Sequence, residues 1–296
     1  MDRLKAMSVF IAVAEEQGFS AASRKLGMSP PAVTRVIAEL EARLGVNLLI
    51  RTTRQVRLTD AGHQYLQDAR RIVVEVDTAE ESVAGIHGNP TGHLVLTAPV
   101  MFGRLYVTPV ITAFLRQYQQ VTVSAVFVDR ITTMVEEGID VGIRIGELPD
   151  SSLRAILLGF VKLKTYASPD YLQNYGTPKS PQALMQHRLV ATNAGGWGPS
   201  WQFKDQDTDI NLKVSPSFTS TTNDSAIAAA VEGYGITRVL SYQAAPMVAE
   251  GKLVTILEKY EGPAVPVNII HPQGRNLPAK VRAFIDMTVS EINLGE

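Results

Sequence analysis

The fold of this chain is decided by residues 20–58, which read SAASRKLGMSPPAVTRVIAELEARLGVNLLIRTTRQVRL. Ser20 is a good N-cap for a short helix over residues 21–26, and Gly27 supplies the turn that follows it. Ser29 then opens a second helix. Two short helices joined by a tight turn and followed by a basic hairpin predict a helix that is placed to enter a DNA groove.

The second of these helices has an apolar face and an outward face. The residues expected to point inward are Val33, Val36, Ile37, Leu40 and Leu44. Pro30 and Pro31 lie in the first helical turn, where a missing N–H is not needed, and Thr34 and Arg35 lie on the outward face. Arginine can reach guanine O6 and N7, threonine can contact a base edge or a phosphate, and proline can contact a thymine methyl group. The outward face is therefore predicted to read the major groove.

A basic hairpin is predicted after this helix. The segments Leu48-Leu49-Ile50 and Val56-Arg57-Leu58 flank Arg51-Thr52-Thr53-Arg54, a pattern typical of two short strands whose tip contacts the DNA backbone or minor groove. Residues 1–57 contain nine lysines and arginines and five acids, although the whole chain has a net charge of −1. Residues 58–90 contain two basic and six acidic residues. We therefore expect only the N-terminal segment to contact phosphate groups.

Residues 10–62, FIAVAEEQGFSAASRKLGMSPPAVTRVIAELEARLGVNLLIRTTRQVRLTDAG, resemble the winged helix-turn-helix domain of LysR-type transcriptional regulators. The resemblance implies base and phosphate contacts by Ser29, Pro30, Pro31, Thr34 and Arg35. It implies backbone contacts by Ser20, Arg51, Thr53 and Arg54. The family often has glutamine where this chain has Pro30, which removes an amide that can pair with adenine.

A long helix is predicted over residues 59–88, opened by Thr59-Asp60. Its apolar residues recur at alternating spacings of four and three, which gives the narrow stripe typical of a helix that pairs with a second copy. A broader stripe is the norm for a helix packed on its own domain, which remains the alternative. The residues predicted to make the dimer contact are Tyr65, Ile72, Val76, Ala79 and Val83. In LysR-type regulators the equivalent helix is the dimerisation linker.

Residues 91–296 alternate between strand and helix patterns. Strands are expected at 94–97, 121–128 and 141–145, with helices at 103–118, kinked at Pro109, and at 131–137. Such alternation predicts parallel α/β sheets. Two small lobes fit this length, lobe 1 over about residues 91–162 and 266–296 and lobe 2 over about residues 163–265.

The two-lobed organisation resembles the effector domain of LysR-type regulators, which is similar to periplasmic solute-binding proteins. Residues 138–159 and 228–254 carry this resemblance. The predicted fold class is therefore multidomain α/β. It comprises an all-α winged helix-turn-helix domain over residues 1–58, a linker and dimerisation helix over residues 59–88, and a two-lobed effector-binding domain over residues 91–296.

A ligand site is predicted where strands end and helices begin, because free N–H groups and hydroxyls there favour an anion. The residues predicted to bind an effector are Thr97, Pro99, Met101, Phe102, Gly103, Arg144, Trp201, Thr221, Thr222 and Asn223. Simple N-capping by Thr222 or Asn223 is an alternative to ligand binding. A structural ion pair is equally possible for Arg144, and anchoring in the core is equally possible for Trp201. Arg238 lies inside an apolar strand, so its charge needs an acidic partner or an anionic ligand.

Composition and motifs exclude several classes of protein. The chain has no cysteine, which excludes disulfides and thiol redox chemistry, and its five histidines show no metal-ligand spacing. We therefore expect no metal and no cofactor. The N-terminus lacks the layout of a signal peptide, and no apolar run reaches the ~18 residues of a membrane span, so a soluble cytoplasmic protein is expected. No catalytic motif is present, and no catalytic residue is predicted.

The leading interpretation is a bacterial, sequence-specific transcriptional regulator controlled by a small, anionic effector bound between the two lobes. Its expected partners are double-stranded promoter or operator DNA, a second copy in a homodimer or homotetramer, and RNA polymerase. The alternative is a cytoplasmic small-molecule-binding or enzymatic α/β protein with an incidental helical N-terminus. A non-specific architectural DNA protein is disfavoured by the net charge of −1.

Overall fold

The computed structural model describes residues 2–51, 56–83, 89–130, 132–148, 153–193, 200–272 and 277–294. The chain divides into two compact units. The first comprises residues 1–90 with 133–139 and 274–279, and the second comprises residues 91–132 with 140–273 and 280–296. Within the described ranges, no helix is long and apolar enough to cross a membrane.

The first unit contains four helices and one hairpin among its described residues. The helices are α1 (Arg3–Glu15), α2 (Phe19–Leu26), α3 (Pro30–Leu44) and α4 (Asp60–Val83). The antiparallel hairpin is formed by β1 (Leu49–Arg51) and β2 (Val56–Leu58), with Leu49 opposite Leu58. The predicted helix–turn–helix and the two strands of the predicted hairpin are therefore confirmed, whereas the tip at 52–55 lies outside the described residues.

Two glycines terminate the short helices. Gly27 (φ 62°) follows α2 and Gly45 (φ 71°) follows α3, both in the left-handed region that glycine adopts without a steric penalty. The predicted start of α2 was wrong, because Gly18 takes the N-cap position and Ser20 lies inside the first turn. The prediction that Leu44 faces inward was also wrong, since this side chain is exposed at the end of α3.

The apolar faces of α1, α2 and α3 meet in one core. Phe10, Val33, Ile37 and Leu40 are fully buried in it, and burial of each such side chain contributes about 1.5–3 kcal/mol. This packing fixes α3 with its opposite face turned outward.

Helix α4 begins as the sequence predicts, because the Thr59 hydroxyl accepts a hydrogen bond from the Gly62 N–H at 2.9 Å. Gly62 is required at this point, since a Cβ atom there would overlap the Leu48 carbonyl oxygen and lie 3.1 Å from Leu58 Cδ2. The start of α4 is therefore packed against the hairpin.

The second unit contains two five-stranded sheets, one in each lobe. The strands of lobe 1 are β3 (Gly92–Ala98), β4 (Val121–Phe127), β5 (Val141–Ile145), β6 (Leu153–Val161) and β14 (Val265–Pro272). The strands of lobe 2 are β7 (Leu163–Ala167), β8 (Leu189–Thr192), β11 (Phe218–Ser220), β12 (Ile236–Leu240) and β13 (Val254–Ile256), accompanied by a separate hairpin of β9 (Ser200–Asp205) and β10 (Thr208–Lys213).

Helices pack around these sheets. In lobe 1, α5 (Val100–Phe102), a π-helical segment (Gly103–Val107) and α6 (Thr108–Gln117) follow one another, and α10 (Ala279–Glu291) returns to pack Phe284 on Phe114. The elements of lobe 2 are α7 (Pro169–Tyr175), a 3-10 helix (Pro181–Gln186), α8 (Asn223–Val231), α9 (Ser241–Ala249) and a second 3-10 helix (Glu258–Tyr260).

The sheets are mixed, not parallel as the sequence predicted. The strand orders are β4-β3-β5-β14-β6 and β11-β8-β12-β7-β13. The parallel pairs are those of β3 with β4 and β5, and of β8 with β11 and β12. The strands β6, β7, β13 and β14 add antiparallel pairs, because the chain crosses from one lobe to the other at Val161–Leu163 and returns before Val265.

Two predicted helices also differ from the structure. The segment predicted as a helix over 131–137 forms only a turn in its described residues, closed by Gly138 at φ 63°. The irregularity predicted at Pro109 appears as the π-helical segment just before it, where the Thr108 N–H bonds to the Gly103 carbonyl. Shifting the hydrogen-bond ladder there accommodates the proline ring and its missing N–H.

Candidate functional site

The outward face of α3 is fully available to solvent. Ser29, Pro30, Pro31, Thr34 and Arg35 are all exposed, as the sequence predicts for a DNA-reading surface. Ser29 occupies the N-cap position, but its side chain makes no capping hydrogen bond. Pro30 and Pro31 have no N–H, and the N–H groups of Ala32 and Val33 donate to the Ser29 carbonyl, so the donor that this helix start offers to a phosphate group is the Ser29 hydroxyl.

Thr34 and Arg35 are held differently. The Thr34 hydroxyl donates to the Pro30 carbonyl at 3.0 Å, so the side chain is fixed against its own helix. The Arg35 side chain is 77% exposed, and its Nε lies 3.9 Å from Glu39 Oε1. Such an exposed ion pair is worth little, so the guanidinium can leave Glu39 for a base or phosphate at small cost.

Two other basic side chains of the first unit, Lys25 and Arg70, are paired with acids. Lys25 lies 3.1 Å from Glu15 and 3.2 Å from Glu16, and Arg70 lies 2.9 Å from Glu15. Burial acts to raise the pKa of Glu15, but the hydrogen bonds from Arg70 and Lys25 outweigh it and hold that pKa below its usual value. These pairs tie α1 to α2 and α4, and they leave Lys25 and Arg70 less free than Arg35 to contact DNA.

The hairpin residues predicted to contact DNA are only partly described. Thr53 and Arg54 lie outside the described residues, as does the side chain of Arg51. Ser20 is exposed on α2. The hairpin is joined to α3 through Glu41, whose carboxylate accepts hydrogen bonds from the N–H groups of Leu48 and Leu49 at 2.8 and 3.1 Å.

The predicted dimer stripe on α4 begins within the core of the first unit. The Tyr65 ring packs edge-on against Phe10 at 5.4 Å, and Ala69 is fully buried. Tyr65 therefore contacts its own domain, as the alternative interpretation of this helix had it. Ile72 and Val76 are half-buried further along, and the side chains of Ala79 and Val83 lie outside the described residues.

The first predicted ligand loop is largely satisfied by the protein itself. The Thr97 hydroxyl is buried and donates to the Val126 carbonyl at 2.9 Å. The N–H of Val100, at the start of α5, donates to the Asp129 carboxylate at 3.0 Å. The anion predicted at this helix start is thus supplied by the chain, which disfavours an anionic ligand at the same place.

The neighbouring residues of this loop serve packing. Met101 and Phe102 are buried, Pro99 precedes α5, and a Cβ atom at Gly103 would lie 2.5 Å from the Phe127 ring. Gly103 is therefore explained by this close approach.

The second predicted ligand loop starts α8. Thr222 caps the helix by accepting a hydrogen bond from the Ser225 N–H at 3.4 Å, as the capping alternative had it. Thr221 is exposed and Asn223 is buried. Arg104 of lobe 1 lies 3.5 Å from Asp224 of α8, so the two predicted loops face each other across the lobes.

An aromatic cluster joins the lobes beside this ion pair. The Phe102 and Tyr106 rings of lobe 1 stack at 4.8 Å, and the Tyr242 ring of α9 lies 5.4 Å from the first and 6.0 Å from the second. Burial raises the pKa of the Tyr242 hydroxyl, which therefore stays neutral at physiological pH. The lobes thus meet through apolar contact on this side.

The remaining two predicted ligand residues have structural contacts. The guanidinium of Arg144 donates to the Thr132 carbonyl at 3.3 Å and also contacts the Thr132 hydroxyl. Trp201 is buried in the lobe 2 core on strand β9, as the core-anchoring alternative had it. The second tryptophan of the predicted loop, Trp197, lies outside the described residues.

A cavity of about 480 Å³ opens elsewhere, beside the segments that connect the lobes. Its walls come from Gly146-Glu147 of lobe 1, Leu163, residues 202–204 and 209–211 of the hairpin, Arg238 and residues 262–266. The sequence interpretation missed this site because it did not predict the β9–β10 hairpin. The one available signal was Arg238, whose charge within an apolar strand requires a partner.

Two family models match this sequence. The model described as "Bacterial regulatory helix-turn-helix protein, lysR family" matches residues 4–63, and the model described as "LysR substrate binding domain" matches residues 87–292. Together they span both structural units, including the exposed face of α3 and the cavity beside the lobe connections.

Full-length relatives show the same organisation. The HTH-type transcriptional regulator CrgA of Neisseria meningitidis serogroup C (strain 8013) is 33% identical over 287 residues, which cover 97% of this chain and 96% of CrgA. The solved structure of CrgA from Neisseria meningitidis has a TM-score of 0.63 at 32% identity and covers 97% of this chain and 98% of that one. The structure of full-length CbnR complexed with its target DNA has a TM-score of 0.59 at 21% identity, which shows a shared fold, and covers 98% of this chain and 100% of that one.

Proposed function

This chain belongs to the LysR family of bacterial transcriptional regulators, and we propose that it binds promoter DNA through α3 under the control of a small molecule held by its two-lobed domain. The family resemblance inferred from residues 10–62 is confirmed by the match to residues 4–63. The alternative of an enzyme with an incidental helical N-terminus is set aside, because the matched relatives are transcriptional regulators.

The observation that carries the DNA-binding proposal is the exposed N-terminal face of α3. Its opposite face is fixed by fully buried Val33, Ile37 and Leu40, so Thr34 and Arg35 are presented on a rigid element. We propose that Ser29, Pro30, Pro31, Thr34 and Arg35 contact base edges and phosphates. We propose backbone contacts for Ser20, Arg51, Thr53 and Arg54.

We propose that the domain boundaries follow these roles, with residues 1–58 binding DNA, residues 59–88 pairing two copies and residues 91–296 binding an effector. Pairing would use Ile72, Val76, Ala79 and Val83, which follow the part of α4 that Tyr65 and Ala69 attach to the core of the first unit. The DNA complex of CbnR, a protein of the same fold, supports a duplex DNA partner. Contact with RNA polymerase would follow from regulation of a promoter.

A salt titration of DNA binding tests this proposal directly. The full-length protein is titrated onto a fluorescent duplex taken from the region upstream of its own gene, at several salt concentrations. A regulator that contacts several phosphates should lose about 10³–10⁵ in affinity between 50 and 200 mM salt. Binding that is indifferent to salt, or equal on a scrambled duplex, would contradict a sequence-specific DNA interface.

A further inference from the structure

Arg238 is a buried cation at the centre of lobe 2. It lies on β12, the middle strand of its sheet, and every residue of this strand is buried. Its side chain is among the few charged ones in the described residues that are nearly inaccessible, with 6% exposure. Burial of a guanidinium is unfavourable unless a counter-charge or hydrogen bonds compensate for the lost hydration.

The hydrogen bonds of Arg238 replace only part of the hydration that its guanidinium loses on burial. Nη1 donates to the Thr165 hydroxyl at 2.9 Å, and Nη2 donates to the Gln202 carbonyl at 2.6 Å. The guanidinium carbon lies 4.0 Å from the centre of the Phe203 ring. Nε is buried and has no acceptor among the described residues.

No carboxylate of the described chain forms an ion pair with Arg238. The acid that acts on it electrostatically is Glu261, and that carboxylate already lies 3.4 Å from Lys164 and 3.8 Å from Lys162. Burial lowers the pKa of Arg238 to about 10 while Glu261 opposes the shift, so the guanidinium remains charged at neutral pH. A permanent buried charge thus faces the cavity of about 480 Å³ without a dedicated anion.

We propose that this cavity binds a small carboxylate, whose carboxylate group pairs with Arg238. The proposal rests on the proposed function, since it assigns a ligand class to the effector-binding domain. The cavity volume falls in the range of ~300–1,000 Å³ that is usual for small-molecule sites. Leu163, Phe203 and Pro266 supply an apolar wall, and Gln202 and Asn211 supply polar groups. A planar guanidinium pairs with a carboxylate through two parallel hydrogen bonds.

The charges around Arg238 favour one kind of carboxylate. The other ionisable lining residues are Glu147, Lys204 and Asp209, and both acids are exposed. Apart from Arg238 the lining therefore carries two acids and one base, and this excess of negative charge favours a ligand that bears an ammonium group over one with a second carboxylate. An amino-carboxylate is therefore expected to bind more tightly than the corresponding plain carboxylate.

Binding here would connect the ligand to the arrangement of the lobes. Glu147 follows β5 of lobe 1, Phe203 and Arg238 belong to lobe 2, and residues 262–266 connect the two. The Gly146 N–H donates to the Pro266 carbonyl at 2.9 Å, which ties the lobe 1 wall to the connection. A ligand that contacts both walls favours the lobe arrangement in which they are close, and this is the differential affinity that a conformational switch requires.

The binding test uses the full-length protein and a panel of probes graded in size. The panel runs from acetate and glycine to 3-phenylpropanoate and phenylalanine. The matched amines without a carboxylate are methylamine for the first two and 2-phenylethylamine for the last two, and binding is measured by thermal shift and calorimetry. We expect at least one carboxylate to raise the melting temperature while its amine does not. Equal shifts for carboxylates and amines, or no shift with any carboxylate, would overturn the proposal.

Variants of Arg238 locate the binding. For the probe with the largest shift, Arg238→Gln is expected to weaken binding at least about tenfold, and Arg238→Lys, which keeps the charge without the forked donors, to give an intermediate affinity. The matched control is Arg188→Gln, at an exposed arginine of the same lobe that lies between the rings of Tyr175 and Tyr234. Unchanged affinity in both Arg238 variants, or equal weakening in the Arg188 control, would overturn the assignment.

DNA binding separates this proposal from the proposed function. If the probe changes DNA affinity in the wild-type protein and in Arg238→Gln alike, regulation stands and the assignment to Arg238 fails. If the probe binds through Arg238 and DNA affinity does not change, the ligand class stands and effector control from this cavity fails. If Arg238→Gln loses both the binding of the probe and the effect of the probe on DNA affinity, the result supports the proposed function and the assignment to Arg238.

Discussion

Replacement of Arg238 by methionine is expected to change the stability of the ligand-free protein by less than about 3 kcal/mol, because two opposing effects nearly cancel. The folded state lowers the pKa of this side chain from 12.5 to about 10, which means that burial disfavours the charged form. At about 1.4 kcal/mol per pKa unit, the shift corresponds to roughly 3 kcal/mol of destabilisation. The folded pKa is below the unfolded one, so the whole penalty is present at neutral pH and would be relieved only as the pH rises above about 10.

The hydrogen bonds to Thr165 and Gln202 oppose this gain when they are lost. Because the donor is charged, each contributes about 1.5–3 kcal/mol net, and a methionine sulfur beside the Phe203 ring recovers about 0.3–1.5 kcal/mol. The free energy of unfolding of the Arg238→Met variant should therefore lie between about 2.5 kcal/mol below and about 1.5 kcal/mol above that of the wild type.

The assay is urea unfolding of both proteins without ligand, followed by fluorescence, with Arg188→Met as the surface control. The control removes two exposed cation–π contacts and is expected to lose no more than about 1–2 kcal/mol. A loss of about 3 kcal/mol or more in Arg238→Met would refute the reasoning, because it would make Arg238 a structural tie between β12, β7 and β9. A stable variant that no longer binds carboxylates is the expected result for a ligand-binding residue.

Three further predictions concern the first unit. Arg35→Ala should weaken DNA binding by about 1–3 kcal/mol and relax base preference, measured by anisotropy on operator variants, and an identical footprint would show that Arg35 does not read bases. Gly62→Ala should destabilise the protein by about 1–3 kcal/mol through overlap with the Leu48 carbonyl, whereas Gly262→Ala, whose Cβ would meet no atom within 4 Å, serves as the mild control in the same melting experiment. Val76→Glu should shift the protein from dimer to monomer in analytical ultracentrifugation, and an unchanged dimer would place the pairing surface elsewhere.

The sequence predicted the helix-turn-helix of the first unit well because the residues that end and start its helices are close together in the chain. Gly27 and Gly45 end their helices in the left-handed region, and Pro30 and Pro31 mark the start of α3. The start of α2 was missed because Gly18, in an extended conformation, serves as the N-cap ahead of Ser20. A serine is the better capping residue by propensity, but the position of the helix is set by packing against α1 and α3.

The lobes were harder to predict because their pairing is not local. The β9–β10 hairpin turns at Gln206, which adopts φ 53° without the glycine or asparagine that usually marks such a turn. Strand β14 returns from lobe 2 to pair between β5 and β6, which makes the sheet mixed, and no short motif encodes that return.

The candidate ligand site was also hard to predict, because its residues come from distant parts of the chain. The loops at 97–103 and 221–223 have the hydroxyls and helix starts that favour an anion, but Asp129 supplies one of these anions from within the chain. Arg238 was identifiable as a charge that needs a partner, whereas its cavity is assembled from segments more than a hundred residues apart. The sequence therefore identified Arg238 as a candidate, but it did not indicate which residues surround its side chain.

The most direct test of ligand-controlled DNA binding is one anisotropy titration of the full-length protein on its upstream duplex at fixed salt, with and without the tightest-binding carboxylate of the panel. The predicted result is sequence-specific binding whose affinity changes by about 5–150-fold when the carboxylate is present. The same affinity with and without the carboxylate would contradict control from this cavity. Equal affinity for the upstream and scrambled duplexes would contradict the proposed role of α3.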